Sequence, residues 1–142
     1  MSLCDVSSLH VDAMTQLHAS AFEKPWNEKE FEGLLSLSTT KGWMDEESLL
    51  LFSHVLDEVE ILTILTHPNA RGQGKAVALL NHLIQYAKEN NVRQIFLEVN
   101  IENQPAISLY EKMGFTKTGV RKKYYKMKDG TFCDGFVYLL KI

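Results

Sequence analysis

The sequence predicts an α/β (α+β) fold, a mixed central sheet flanked by helices, in a single domain over residues 1–142. Three observations predict it. Helical and strand periodicities alternate along the chain. The strand, helix, strand order in the middle forces at least one parallel pairing, because such a crossover joins strands that run the same way. Finally, 142 residues that are 45% hydrophobic suffice for one core and leave no room for a second.

The elements follow in order. Residues 8 to 21 repeat apolar positions at helical spacing, with Val11, Met14, Leu17 and Ala21 on one stripe. A short helix follows "KPW": Asn27 can accept from the backbone near Glu30 while Glu30 reaches back, a capping box. From about Gly42 to Thr66 the pattern becomes strand-like, and "ESLLLFSHVL" and "VEILTILT", with Asp57 and Glu58 between them, predict a hairpin. Ala76, Leu79, Leu80, Leu83, Ile84 and Ala87 then mark the clearest helix, which Asn90 and Asn91 stop. "VRQIFLEV" reads as a strand and "QPAISLYEKM" as a helix, with Pro105 in its first turn and Gly114 at its C-terminal cap. Two strands about "KDG" close the chain.

Composition excludes several function classes. A formal charge of -3 lacks the basic face that phosphate contacts of a nucleic-acid binder demand. Cys4 and Cys133 are too few and too scattered for a disulfide framework or a zinc site, which predicts a reduced, cytoplasmic protein without a metal. Neither a leader-like apolar run nor a bilayer-spanning stretch is recognisable, so neither secretion nor membrane anchoring is expected. Internal repeats and low-complexity tracts are also lacking.

The stretch "HPNARGQGKAVALL" at 67–80 carries the first functional signal. Gly72 and Gly74 let the backbone approach a ligand closely, and the first turn of the following helix leaves amides at Gly74, Lys75 and Ala76 without helical partners. Converging amides at a positive helix end suit a phosphate or pyrophosphate, although a plain strand-to-helix turn explains the glycines equally well. A Walker-type loop fails because Lys75 is followed by alanine, and a dinucleotide fingerprint lacks its third glycine.

"RGQGKA" resembles the R-x-x-G-x-G/A signature of the GNAT N-acetyltransferases through Arg71, Gly74 and Ala76. "ENQPAISLYEKMGF" is similar to their N-x-x-A-x-x-L-Y-x-x-x-G-F segment, and "KPWNEKEF", "LEV" and "RKKYYKMKDG" resemble the branch of bacterial ribosomal-protein-alanine acetyltransferases. The likeness covers almost the whole chain. It implies a GNAT fold and acetyl-CoA as co-substrate. The pyrophosphate would lie on the amides of Gly72, Gln73, Gly74, Lys75, Ala76 and Val77, Arg71 of the signature would also belong to the cofactor site, and the pantetheine would run along Ile64, Leu65 and Thr66.

The resemblance also assigns roles. Glu98 would be the general base; without it, a salt-bridged or water-facing glutamate at a strand end is the simpler reading, although a strand covered by helices on both faces is an unusual place for a carboxylate. An α-amine titrates at roughly 7.7–8.0 against about 10.4 for lysine, so a lysine acceptor would need about 3.4 kcal/mol more. Tyr110 shares a helical stripe with Ala106, Leu109 and Met113, which marks a core aromatic; the family likeness makes it the general acid facing the CoA sulfur. Asn103 can cap the helix and, by resemblance, touches the pantetheine.

Tyr124 and Tyr125 stand beside Arg121, Lys122 and Lys123, whose charges alternate between strand faces as in a solvated hairpin. The resemblance puts the tyrosines against the acceptor peptide, with Trp26 on the opposite wall. His67 and Ser48 depart from the family pattern near that groove. The expected activity is therefore direct acetyl transfer to the N-terminal α-amine of a protein, an alanine-starting small-subunit ribosomal protein, without an acyl-enzyme. A small amine or internal lysine as acceptor, and a CoA-binding or partner-binding module without turnover, are the alternatives.

Overall fold

The computed structural model describes residues 3–127 and 129–142, and all their side chains except those of Lys123 and Tyr124. Its strands are β1 (Cys4–Asp5), β2 (Thr40–Met44), β3 (Ser48–Val55), β4 (Glu58–Thr66), β5 (Gln94–Asn100), β6 (Thr116–Lys126) and β7 (Phe132–Lys141). The α-helices are α1 (Val11–Ala21), α2 (Glu28–Leu35), α3 (Lys75–Glu89) and α4 (Gln104–Lys112). One mixed sheet runs β1-β2-β3-β4-β5-β7-β6, and β4 with β5 is its parallel pair. No helix among the described residues is long and apolar enough to cross a membrane.

Local chemistry explains the boundaries. Asn27 Oδ1 accepts from the Glu30 amide at 2.9 Å while Glu30 Oε1 accepts from the Asn27 amide at 3.2 Å, so the expected capping box starts α2. After α3 the left-handed residue is Asn91, at φ 57°. The helix expected from residue 8 begins instead with a 3-10 turn, Ser8–His10, held by the Ser7 side chain. The short β1 and the separate β2 were not anticipated. In β2 a side chain at Gly42 would run into the Leu50 carbonyl oxygen, so close approach to β3 demands glycine there.

Two cores sandwich the sheet. Leu79, Leu80, Leu83 and Ala87 of α3, with Ile107 and Tyr110 of α4, pack on Leu50, Phe52, Val59, Ile95, Leu97 and Tyr138. On the other face Val11, Met14 and Leu17 of α1 and Phe31 of α2 cover Leu49, Leu51 and Leu65. Burial of such side chains stabilises by roughly 1.5–3 kcal/mol each. The second core draws nothing from β5, β6 or β7 among the described residues, so that half of the sheet has one helix-free face.

β4 is irregular. Leu51 faces Thr63 and Phe52 faces Ile61, so Leu62 is an extra, bulged residue. Val59, Ile61 and Ile64 join the α3 side, whereas Leu62 and Leu65 join the α1 side; the bulge therefore switches which positions face which core.

His18 of α1 is buried, stacked on Trp26 at 4.7 Å and on Phe22 at 4.4 Å, and its Nδ1 accepts from the Trp26 amide at 3.0 Å. Burial pushes its pKa down from 6.5 to about 4, against an opposing pull from Glu30. The unfolded chain takes up this proton at higher pH than the folded one, so the stability involved is complete above about 6.5 and lost as pH falls towards about 4. In urea titrations the stability advantage of the wild-type protein over His18→Gln should shrink by on the order of 2 kcal/mol between about pH 7 and 4.5. A constant gap would refute this role of His18.

Candidate active site

The site begins where β4 and β5 part. They pair at Glu58↔Gln94, Val59↔Ile95 and Glu60↔Phe96, after which β4 continues to Thr66 beside β3 alone and β5 continues to Asn100 beside β7 alone. The strand end Ile64, Leu65 and Thr66 therefore borders an opening, with an edge that β5 does not use.

Beyond Thr66 the chain makes a 3-10 turn, Pro68–Ala70, in which His67 Nδ1 accepts from the Asn69 amide at 3.1 Å. Gly72 and Gly74 follow at φ 80° and 76°, left-handed conformations that favour glycine, and an added Cβ at either would meet nothing within 4 Å. Gly74 caps α3 without a side-chain bond, and Ala78 makes the first helical bond, to the Gly74 carbonyl at 2.9 Å. The amides of Gly74, Lys75, Ala76 and Val77 are thus unused by the helix and gather at its positive end beside those of Gly72 and Gln73. Arg71 Nε donates to the Thr66 carbonyl at 3.4 Å, tying this loop to the strand end.

Lys75 contributes its amide to this array, but its side chain turns inward. Its Nζ lies 3.2 Å from Asp45 and 3.5 Å from Glu47, and the Lys75 and Asp45 side chains are only 4% and 6% exposed. Asp45 Oδ1 also accepts from the Glu47 amide at 2.8 Å and from the Ser48 hydroxyl at 3.0 Å. Burial alone would raise the Asp45 pKa; the Glu47 amide, the Lys75 ammonium and the Ser48 hydroxyl outweigh it and hold the carboxyl below its ordinary value. Ser48, one departure from the family pattern, is thus buried and fully engaged.

Glu98 lies on β5 just past the last pairing with β4. The expectation that helices cover both faces of this strand is wrong: buried and half-buried residues alternate along it, and Glu98 points to the helix-free side. A carboxylate is tolerated there because it keeps access to water and to a cation. Arg121 Nη1 of β6 donates to both Glu98 oxygens, at 3.0 and 3.2 Å. Glu60, the last β4 residue paired to β5, stands nearby; burial raises its pKa, Glu98 adds to the rise and Arg121 opposes it.

On the covered face, Tyr110 of α4 is 6% exposed, with Phe115 at 5.7 Å and Tyr138 at 6.5 Å. Burial, then the nearby Tyr125 hydroxyl, pushes its phenol well above the ordinary range. The Tyr125 ring crosses Gly135 on β7, where an added Cβ would come within 3.0 Å of it. Asn103 Oδ1 caps α4 through the Ala106 amide at 3.3 Å. Trp26 packs on His18 and Phe31 in the α1–α2 cluster, while the Tyr124 side chain lies outside the described residues. Sequence reasoning missed Glu60, the Arg121–Glu98 pair and the Lys75–Asp45 pair. Only Glu60 left a signal, the strand alternation of "VEI" that sets it opposite Val59 and Ile61.

The sequence profile of the Acetyltransferase (GNAT) family matches residues 11–115. The ribosomal protein bS18-alanine N-acetyltransferase of Escherichia coli (strain K12) is 32% identical over 135 residues, covering 91% of this chain and 90% of that protein. The crystal structure of the Escherichia coli ribosomal-protein-S18-alanine N-acetyltransferase superposes with a TM-score of 0.91 at 28% identity, over 99% of this chain and 93% of that one. Arabidopsis thaliana NAA60 in complex with acetyl-CoA shares the fold, with a TM-score of 0.83 at 20% identity and 99% coverage of each chain.

Lys75→Met removes one partner and leaves the Asp45 charge buried, so a loss of about 3 kcal/mol is expected in urea denaturation. Asp45→Asn added to that variant should restore part of the loss. Wild-type stability in Lys75→Met would show that the pair carries no weight.

Proposed function

The chain belongs to the GNAT acetyltransferase family, and from that premise we propose that it moves the acetyl group of acetyl-CoA to the N-terminal α-amine of a protein. The acceptor suggested by its relatives' names is an alanine-starting ribosomal protein such as bS18. The observation that carries the reading is the parting of β4 from β5 between an open amide array and Glu98. Such an opening suits a long, amide-bearing ligand with an anionic end.

In this reading the diphosphate rests on the amides from Gly72 to Val77, where open space and a positive helix end favour it. Arg71 ties the loop to the Thr66 carbonyl. The pantetheine lies along Ile64, Leu65 and Thr66, using the strand edge as an extended peptide would, with Asn103 close to its far side. Acetyl-CoA supplies the activated acyl group; the protein supplies alignment, a base and a hydrogen-bond donor.

Glu98 takes a proton from the acceptor ammonium, directly or through one water. The freed nitrogen attacks the thioester carbonyl, the carbon–sulfur bond breaks, the sulfur leaves as a thiolate towards Tyr110, and the nitrogen sheds its second proton to water as the amide forms. Tyr110 works as a donor rather than as a strong acid. Its raised pKa lies further above that of a thiol, about 8.5, than a free phenol's already does, so hydrogen bonding to the developing thiolate is the effective contribution. Tyr124 and Tyr125 on β6, with Trp26 opposite, would line the acceptor groove.

Incubation with acetyl-CoA and an alanine-starting ribosomal peptide between about pH 6 and 9 should add one acetyl group to the peptide, read by mass. An unchanged peptide across that range would refute the acceptor. Glu98→Gln should lower kcat at least about tenfold while calorimetry finds CoA binding intact.

Tyr110→Phe should cost kcat about 10- to 100-fold. Because burial keeps the phenol protonated, wild-type kcat should show no alkaline fall from this residue below about pH 10. A fall near pH 9 that disappears in Tyr110→Phe would give Tyr110 a different role.

A further inference from the structure

Glu98 is occupied in the ligand-free protein. A single guanidinium nitrogen of Arg121 spans both carboxylate oxygens, at 3.0 and 3.2 Å. A base held in this way has both oxygens and part of its charge engaged by the guanidinium, so it takes up an amine proton less readily until it releases its partner. The contact is not sealed, for the Arg121 side chain is 56% exposed and that of Glu98 20%. Ion pairs of that exposure hold weakly.

Glu60 offers the guanidinium a second place. It faces Phe96 across the parallel pair, and Glu98 follows Phe96 by two residues, so strand alternation sets both carboxylates on the face of the sheet away from α3 and α4. Glu60 is half-buried and close enough to feel both charges. Among the described residues, two carboxylates and one guanidinium leave this cluster one positive charge short. A protonated amine supplies the missing charge.

We propose that Arg121 and Glu60 are positioning residues that hand Glu98 to the acceptor: Arg121 holds Glu98 until an ammonium arrives, and Glu60 then takes the guanidinium. The exchange conserves charge and breaks no covalent bond, and it favours cationic acceptors because a neutral one provides no counter-charge for Glu98. It rests on the reading of Glu98 as the base.

Steady-state kinetics with acetyl-CoA and the alanine-starting peptide test it in the wild-type protein, Glu60→Gln, Arg121→Gln and the double variant. Glu60→Gln should raise the peptide KM about tenfold, with KM for acetyl-CoA unchanged and kcat altered less than about threefold, since Arg121 then stays on Glu98 and competes with the amine. In the Arg121→Gln background the same substitution should change the peptide KM less than about twofold. Equal effects in both backgrounds, or a lower kcat at constant KM, would overturn the hand-over while leaving acetyl transfer intact. Absence of turnover in the wild-type protein would instead strike the acetyl-transfer reading. Calorimetric titration of the peptide into the CoA-loaded proteins then still decides the exchange: it requires weaker binding to Glu60→Gln only when Arg121 is present, and fails otherwise.

Discussion

The constraint on which the rest depends is the early end of pairing between two parallel strands. β4 and β5 share three residue pairs and then keep only their outer partners, β3 and β7. A bulge at Leu62 accompanies the parting; the extra residue bends β4 and exchanges the faces of its later side chains. What would have been one more buried ladder becomes an opening at the carboxyl ends of both strands, the part of an α/β sheet where ligands are commonly held. The loop leaving β4 carries the amide array of α3, and the loop leaving β5 carries α4 with Tyr110.

The charges around this opening are sorted. At the α3 end, the side chain of Lys75, whose amide belongs to the array, is withdrawn into Asp45 and Glu47 and does not compete with the amides for an anion. Its charge is spent on holding the helix start to the β2–β3 turn. The helix terminus is left as a backbone site, positive through its dipole. At the other end stand Glu60 and Glu98 with the Arg121 guanidinium. An acyl donor with an anionic tail and an acceptor with a cationic head would each find the matching end. The modest net charge of -3 hides this arrangement because it averages both ends.

What could be read from the sequence was local. The α3 stripe, the Asn27 capping box, the paired glycines and the strand-helix-strand crossover each depend on residues within a few turns of one another. They appear where periodicity and cap chemistry put them. Features set by distant partners were not legible. β1 is two residues long and exists only because β2 offers it an edge; β2 depends on a glycine whose reason is a carbonyl on β3. Lys75 meets Asp45 across 30 residues and Arg121 meets Glu98 across 23, and no spacing rule encodes either meeting. The cover expected over Glu98 was misjudged for the same reason, although a salt-bridged glutamate was one reading of it. Its surroundings depend on which face of β5 the helices leave bare, and that is decided by where α1 and α2 end up.

That bare face also separates the two proposed chemical roles. Tyr110 lies under α4 among Phe115 and Tyr138, where burial keeps its phenol neutral. Glu98 lies on the opposite side of the same strand layer, partly exposed and beside a cation. One sheet therefore presents a dry donor and a solvated carboxylate to the two sides of a single opening, the kind of environmental contrast that divides acid from base work. Under the proposed mechanism the amine must arrive from the open side, where water can accept or relay its proton. The thiolate must depart towards the covered side, where a low dielectric strengthens one hydrogen bond. Exchanging the two positions would bury the carboxylate without a counter-ion and leave the phenol competing with water, so the coverage of β5 by helices on one face alone sets the direction in which this site can work.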